Sequence, residues 1–224
     1  MTHFMAIKIN YDNRSALSWW QKYSRLPSAD EYAHFIERFK ENNVGGWGFH
    51  ECLNFETKKQ SPLQIYLPPT CIPSKELGND EFMIFSFTYK SDPDMPASII
   101  GVHAQAKIVN RHGTKRTNSP LFLSGSPLTF HANAPASMST LIYPVIPYTF
   151  DDGRHTPPYQ RWGSGRRYLE PQHAKNIIID ALKAAREALR NKDQGAQAQT
   201  AFDRQIAVLE AIRDRYWPKK PLRR

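Results

Sequence analysis

Three short runs carry side chains that could do chemistry. Glu56-Thr57-Lys58 has the acidic-x-lysine form of one half of a metal-dependent nuclease motif. That chemistry needs another carboxylate beside the metal, and the nearest upstream acids fall on a separate predicted helix or at Glu51. His50-Glu51-Cys52 sets three ligand-type residues in a row, but neighbours along a strand point to opposite faces, so the run makes a poor metal site. Gly163-Ser164-Gly165-Arg166-Arg167 offers backbone N–H groups and two guanidiniums to a phosphate, or else forms a plain turn before a helix. Phosphate-loop, dinucleotide-loop, GxSxG and HExxH patterns do not occur, and neither does an HNH-type pattern with paired CxxC. The eight histidines show no HxH or HxxxH spacing. No metal and no cofactor are expected, and a binding role is favoured over an enzymatic one. A nuclease built on Glu56 and Lys58 stays open as the alternative.

The charge pattern is the stronger signal. Lys and Arg number 30 against 21 Asp and Glu, a net charge of +9 over 224 residues. Such an excess points to a polyanionic partner or to a solvated basic surface. Eight of the cations lie in two acid-free strips: Lys107, Arg111, Lys115 and Arg116 in one, Arg154, Arg161, Arg166 and Arg167 in the other. Residues 119–150 between them hold no Asp, Glu, Lys or Arg and carry five prolines, which excludes a membrane helix. Cations flanking a neutral, partly aromatic recess suit a nucleic acid whose phosphates are gripped while a base enters the recess. A proline-rich connection packed on the core is the plain alternative.

The elements that would position these groups follow from periodicity. Residues 5–9 alternate as a short strand, and residues 15–23 suggest a helical turn or two bearing Leu17, Trp19 and Trp20. Ser28 and Glu31 have capping-box spacing, with Tyr32, Phe35, Ile36 and Phe39 on one helical face behind them. Residues 47–147 are strand-like. Residues 63–67, 82–89, 99–109, 129–132 and 140–146 are the candidates, with Ile100, Val102, Ala104, Ala106 and Ile108 predicted on one face. Gly101 within the longest strand suggests a bulge or a close backbone approach. Residues 172–192 and 197–216 are amphipathic and read as an αα-hairpin with a basic tail. Two cysteines, no apolar signal core and no apolar run of membrane length give the expectation of a soluble, cytoplasmic protein with free thiols.

Residues 80–110 carry a family likeness. NDEFMIFSFTYKSD followed by ASIIGVHAQAKIVN resembles the core of EVE domains, a strand ending in an aromatic, a loop, and then an I-(I/V)-G-(I/V)-A-x-(I/V)-V strand. These domains belong to the PUA-like superfamily, with the YTH readers. Trp47-Gly48-Phe49 is similar to an aromatic element near their pocket, and Arg161 to Glu170 resembles their closing segment. The likeness spans about half the chain. It implies an α+β fold: a PUA/EVE-like curved β-barrel with flanking N-terminal helices over residues 1–170, followed by a C-terminal αα-hairpin over 171–224.

The resemblance also implies a function, a DNA-binding reader that flips a modified base into an aromatic pocket, as part of a modification-dependent restriction system. The sequence departs from that pattern in lacking a nuclease or motor segment, which leaves an excised or a standalone reader domain as the expectation, with a nuclease or motor as a candidate partner. Stacking on an aromatic is worth about 1–3 kcal/mol per base, and a methyl group adds apolar surface to desolvate. Trp47, Phe49, Tyr89 and Trp20 are the candidate cage, with Asn54, Ser86 and His103 for the base edge. Lys107, Arg111, Lys115, Arg116, Arg161, Arg166 and Arg167 are the candidate phosphate contacts. The expected partner is a methylated nucleic acid, DNA in preference to RNA, with no membrane. The hairpin is the candidate surface for a homodimer or a docked nuclease or motor subunit, which is the third reading.

Overall fold

The computed structural model describes residues 1–12, 14–31, 33, 50–57, 62–88, 97–116, 122–123, 126–148, 153–158, 165–190 and 195–218, with backbone alone at 122, 123, 126 and 127. The strands are β1 (Thr2–Lys8), β2 (Leu63–Ile65), β3 (Glu81–Thr88), β4 (Ser98–Ile108), β5 (Thr114–Lys115), β6 (Phe122–Leu123) and β7 (Ser126–Pro127). They continue with β8 (Thr129–Phe130), β9 (Ala132–Ala134), β10 (Ser139–Pro147) and β11 (Arg166–Leu169), and two helices follow, α1 (Pro171–Leu189) and α2 (Gly195–Tyr216). The fold is α+β. A seven-stranded sheet runs β11-β1-β3-β4-β9-β2, with β10 also on β4. β1 and β3 pair in parallel, and the other pairs are antiparallel. Among the described residues the sheet does not close into a barrel, because β11 and β2 remain its two ends.

β4 organises this sheet. Along one edge it pairs with β3; along the other, its first half takes β10 and its last two residues take β9. Two register shifts against β3, one between Ser86 and Phe87 and one between Phe82 and Ile84, insert extra residues into β4. Gln105 accordingly sits at φ 55. Bulges of this kind bend a strand and raise its twist, so β4 curves enough to serve two partners in succession.

The bulges also correct the face predicted for β4. Ile100 and Ala106, with Ile108 against them, belong to the core inside the curve, whereas Val102 and Ala104 belong to the core under the helices. A strict two-residue alternation cannot see an inserted residue. In β3, Phe82 and Ile84 face the inner core while Met83, Phe85 and Phe87 face the outer one. That is why this strand reads as apolar on both sides.

The helices close the outer face. Glu170 and His173 form a capping box at the start of α1, with Pro171 at its first position. Ile177, Ile178, Ala181, Leu182 and Ala185 of α1 pack with Val208, Leu209 and Ile212 of α2 on Phe85, Val102 and Ile142. Tyr216 at the end of α2 reaches back to Glu81 at 2.5 Å. No described helix is long and apolar enough to cross a membrane.

The N-terminal region differs in part from expectation. Residues 15–23 form turns and not a helix, held by Asp12, whose carboxylate accepts from Arg14 Nε at 2.9 Å, Arg14 Nη2 at 2.7 Å and Tyr23 N–H at 3.0 Å. Ser28 and Glu31 do make their reciprocal cap, Ser28 N–H to Glu31 Oε2 at 2.7 Å and Glu31 N–H to Ser28 Oγ at 3.2 Å. The predicted apolar face at Tyr32, Phe35, Ile36 and Phe39 lies outside the described residues.

Gly101 is where the curved strand meets the turn at residues 50–56. A Cβ there would lie 2.2 Å from Phe55 Cζ. We predict that Gly101→Ala destabilises the protein by about 1–3 kcal/mol through overpacking, and that Phe55→Leu in the same chain recovers part of the loss. Urea denaturation of the single and double variants measures this, and an additive pair would contradict it.

Candidate nucleic-acid interface

The middle of β3 and β4 presents two polar side chains to the inner face. Ser86 lies opposite Gly101, and His103 lies opposite Ile84, so Ser86 and His103 are diagonal neighbours across the pair. Both are fully buried. Neither Ser86 Oγ nor either His103 ring nitrogen has a hydrogen-bond partner among the described residues. Phe55 stacks on the His103 ring, centroids 4.2 Å apart at 20°, in the space that Gly101 leaves. Burial holds the His103 imidazole down to a pKa of about 3, so the ring is neutral and offers one donor and one acceptor. Each stranded polar atom costs about 1–3 kcal/mol. An uncompensated cost of that kind inside a curved sheet calls for a ligand or an ordered water.

Arg116 is the third buried polar side chain of this kind. It is 3 % exposed, and its Nη2 donates to the Gln64 carbonyl at 2.9 Å, while Nε and Nη1 have no partner among the described residues. Burial lowers its pKa to about 10, which leaves it charged at neutral pH. Cys52 and Glu56 lie within electrostatic reach of it. Phe55 of the turn at residues 50–56 thus packs on His103, and Cys52 and Glu56 of the same turn lie within electrostatic reach of Arg116.

Other candidates are placed differently. Asn54 engages the Tyr66 backbone with both ends of its amide, Oδ1 accepting from Tyr66 N–H at 2.8 Å and Nδ2 donating to Tyr66 O at 3.1 Å. It braces the turn against the segment that follows β2. Trp20 packs edge-on against Trp19 at 5.6 Å, and Trp19 stacks on Tyr143 at 4.9 Å and meets Phe202 of α2. That aromatic group braces the N-terminal turns on the hairpin. Trp47, Phe49, Tyr89 and Arg161 lie outside the described residues.

The two basic strips do converge. Arg166 Nη1 donates to the Ile72 carbonyl and Arg111 Nη1 to that of Pro73, so cations 55 residues apart in the chain grip adjacent peptide units. Gly165, at φ 84, supports this arrangement: its carbonyl accepts from Lys8 N–H at 2.6 Å and from the Cys71 thiol at 3.2 Å. Arg166 also lies over the Tyr168 ring at 5.4 Å. Lys107 and Lys115 are exposed, as surface phosphate contacts require. Arg167 is buried, donates to Thr156 Oγ1, and serves the fold. Arg154 is bound to Asp180 through Nη2 at 2.6 Å and Nε at 2.7 Å, and His155 joins the same carboxylate at 2.7 Å.

His50, Glu51 and Cys52 form a 3₁₀ turn, not a strand, and diverge. His50 Nδ1 accepts from Thr129 N–H at 3.3 Å, Glu51 meets Asn10 N–H at 3.3 Å, and Cys52 enters the inner core. Among the described residues no three His, Cys, Asp or Glu side chains are placed to hold a metal. Glu56 is half-buried and Lys58 lies outside the described residues. Both thiols, Cys52 and Cys71, are free and buried. A separate groove of about 320 Å³ lies on the hairpin, lined by Ile179, Leu182, Lys183, Arg186, Arg190 and Arg213.

Sequence reasoning misses Phe55, and it weighs Glu51 only as a metal ligand or nuclease acid. Only the close approach implied at Gly101 pointed to Phe55, and without naming it. Glu51 is fully buried, and desolvation raises its pKa from 4.5 to about 7. His131, whose Nδ1 accepts from Leu67 N–H at 3.2 Å, is lowered from 6.5 to about 4, by burial first and then by Arg116.

These groups fix a pH dependence. Between about pH 4.5 and 6.5 the unfolded chain binds two imidazole protons, at His103 and His131, that the fold does not, and the fold binds one Glu51 proton that the unfolded chain does not. The unfolded state therefore holds one proton more, and stability rises with pH by about 1.4 kcal/mol per unit. Glu51→Gln removes the opposing group, so the slope should roughly double, and above pH 7 the variant should be the more stable protein. Denaturant titrations at pH 5, 6 and 7.5 test this; an unchanged slope would contradict it.

No protein-family model matches the chain, and no curated protein or solved structure matches it.

Proposed function

We propose that this protein is a DNA-binding reader module that takes a methylated base out of the duplex and holds it on the inner face of β3 and β4. The observation that carries this reading is the pair Ser86 and His103, fully buried, unpartnered among the described residues and adjacent on one face. A neutral imidazole beside a hydroxyl supplies donors and acceptors suited to a base edge, and the aromatic at Phe55 already stacks on that imidazole. The finer fold reading, a PUA/EVE-like curved barrel, belongs to the same proposal and is supported by the double bulge of β4. Outside the curve, Lys107, Lys115, Arg111 and Arg166 supply the positive surface that phosphates need. For the nuclease alternative, Glu56 belongs to no group of three His, Cys, Asp or Glu side chains placed to hold a metal among the described residues.

The test is the affinity for matched duplexes, carrying 5-methylcytosine, N6-methyladenine or no modification, across a salt series. One modified duplex should bind more tightly than the unmodified one at every salt concentration. Ser86→Ala and His103→Leu should erase that preference while leaving the salt slope. Arg111→Gln with Arg166→Gln should reduce the slope by about two and keep the preference. Equal affinity for all duplexes throughout would sink the reader assignment.

A further inference from the structure

The surface strip explains why cations lie outside the sheet, but it does not explain a guanidinium inside it. Arg116 is 3 % exposed, is joined to the protein by Nη2 on the Gln64 carbonyl, and leaves the N–H groups of Nε and Nη1 without partners among the described residues. Among the described residues no carboxylate makes an ion pair with it. Cys52 is a neutral thiol, pushed up to about 12 by burial, and His131 is a neutral imidazole, held down by burial and by the guanidinium's disfavouring of its protonated form. Glu56 acts on it through space, with no ion pair between them. A guanidinium is always charged and is matched in shape to the two oxygens of a carboxylate or phosphate. Burying one without a counter-ion is costly unless a ligand brings the counter-ion.

We infer that Arg116 is an oxyanion-binding site on the inner side of the sheet, which takes a phosphate or carboxylate group carried by the ligand. The turn at residues 50–56 bears on both places: Phe55 stacks on His103, and Glu56 acts on Arg116 through space. The site itself does not depend on the reader assignment; only the source of the anion does. In a flipped nucleotide the oxyanion is either the phosphate beside the base or a carboxyl group on the base.

Inorganic phosphate is the direct probe. Thermal melting is followed as sodium phosphate replaces sodium chloride at constant ionic strength. The wild-type protein should show a saturable rise in Tm, and the Arg111→Gln, Arg166→Gln double variant should keep it. Arg116→Gln should lose the rise, and Arg116→Lys, which retains charge without the planar fork, should weaken phosphate binding by about tenfold. If Arg116→Gln does not fold, Arg116→Lys decides, and an unchanged affinity overturns the site. No saturable rise in the wild type also overturns it, as does a rise that vanishes with Arg111 and Arg166 but survives in Arg116→Gln. Duplexes carrying 5-carboxylcytosine or 5-methylcytosine then separate the sources: an Arg116-dependent preference for the carboxyl assigns the anion to the base, and equal Arg116-dependent binding assigns it to the phosphate. A phosphate response lost with Arg116 in a protein that does not discriminate duplexes overturns base reading alone. Discrimination without any phosphate response overturns the Arg116 site alone.

Discussion

The double bulge in β4 is the constraint on which the rest depends. A strand of 11 residues that stayed regular would place His103 and Ile100 on opposite faces and would offer its second edge to one partner. The inserted residues bring Ile100, His103 and Ala106 to the inside, and bend the strand so that β10 and then β9 can pair with it. Gly101 allows the inside of that bend to be filled by Phe55, which a side chain at 101 would displace. The inner core, the outer core and the place of His103 between them are consequences of the same two insertions.

That geometry accounts for the chemistry. β3 and most of β4 are buried on both faces, and the buried polar side chains of the fold stand out. Asp12 and Asn54 are buried but satisfied, and each holds a turn in place. Ser86, His103 and Arg116 are buried with polar atoms left over. Folding tolerates such atoms when function needs them, because the cost of keeping them dry is returned when a ligand fills their valences. Convergence of Arg111 and Arg166 on Ile72 and Pro73 supplies a charged exterior to the same structure.

Local signals were legible in the sequence, and non-local ones were not. The capping box at Ser28 and Glu31, the strands at 82–89 and 99–109, and the two amphipathic helices depend on spacing within a few residues, and the structure has them within one to three residues of the predicted bounds. Ser86 and His103 are polar residues within the apolar strands at 82–89 and 99–109, so their place in the sheet is readable from the sequence. A period-two reading has no place for a bulge, so it puts Val102 and Ala104 on the face opposite to the one they occupy. Asn54 looked like a base-edge group because nothing local shows that its amide meets Tyr66, 12 residues away. The depth of Arg116 was equally hidden, since its strip reads as surface from its charges alone.

The central claim is that His103 receives a base, and ring nitrogens report this directly. In protein labelled with ¹⁵N-histidine, His103 should give the shifts of a neutral ring at pH 6, consistent with a pKa held down to about 3. Addition of a duplex carrying one modified base should move one or both of its ring nitrogens toward hydrogen-bonded values, and the unmodified duplex should not. Ring shifts that stay fixed with every duplex, while the protein is shown to be bound, would contradict the account.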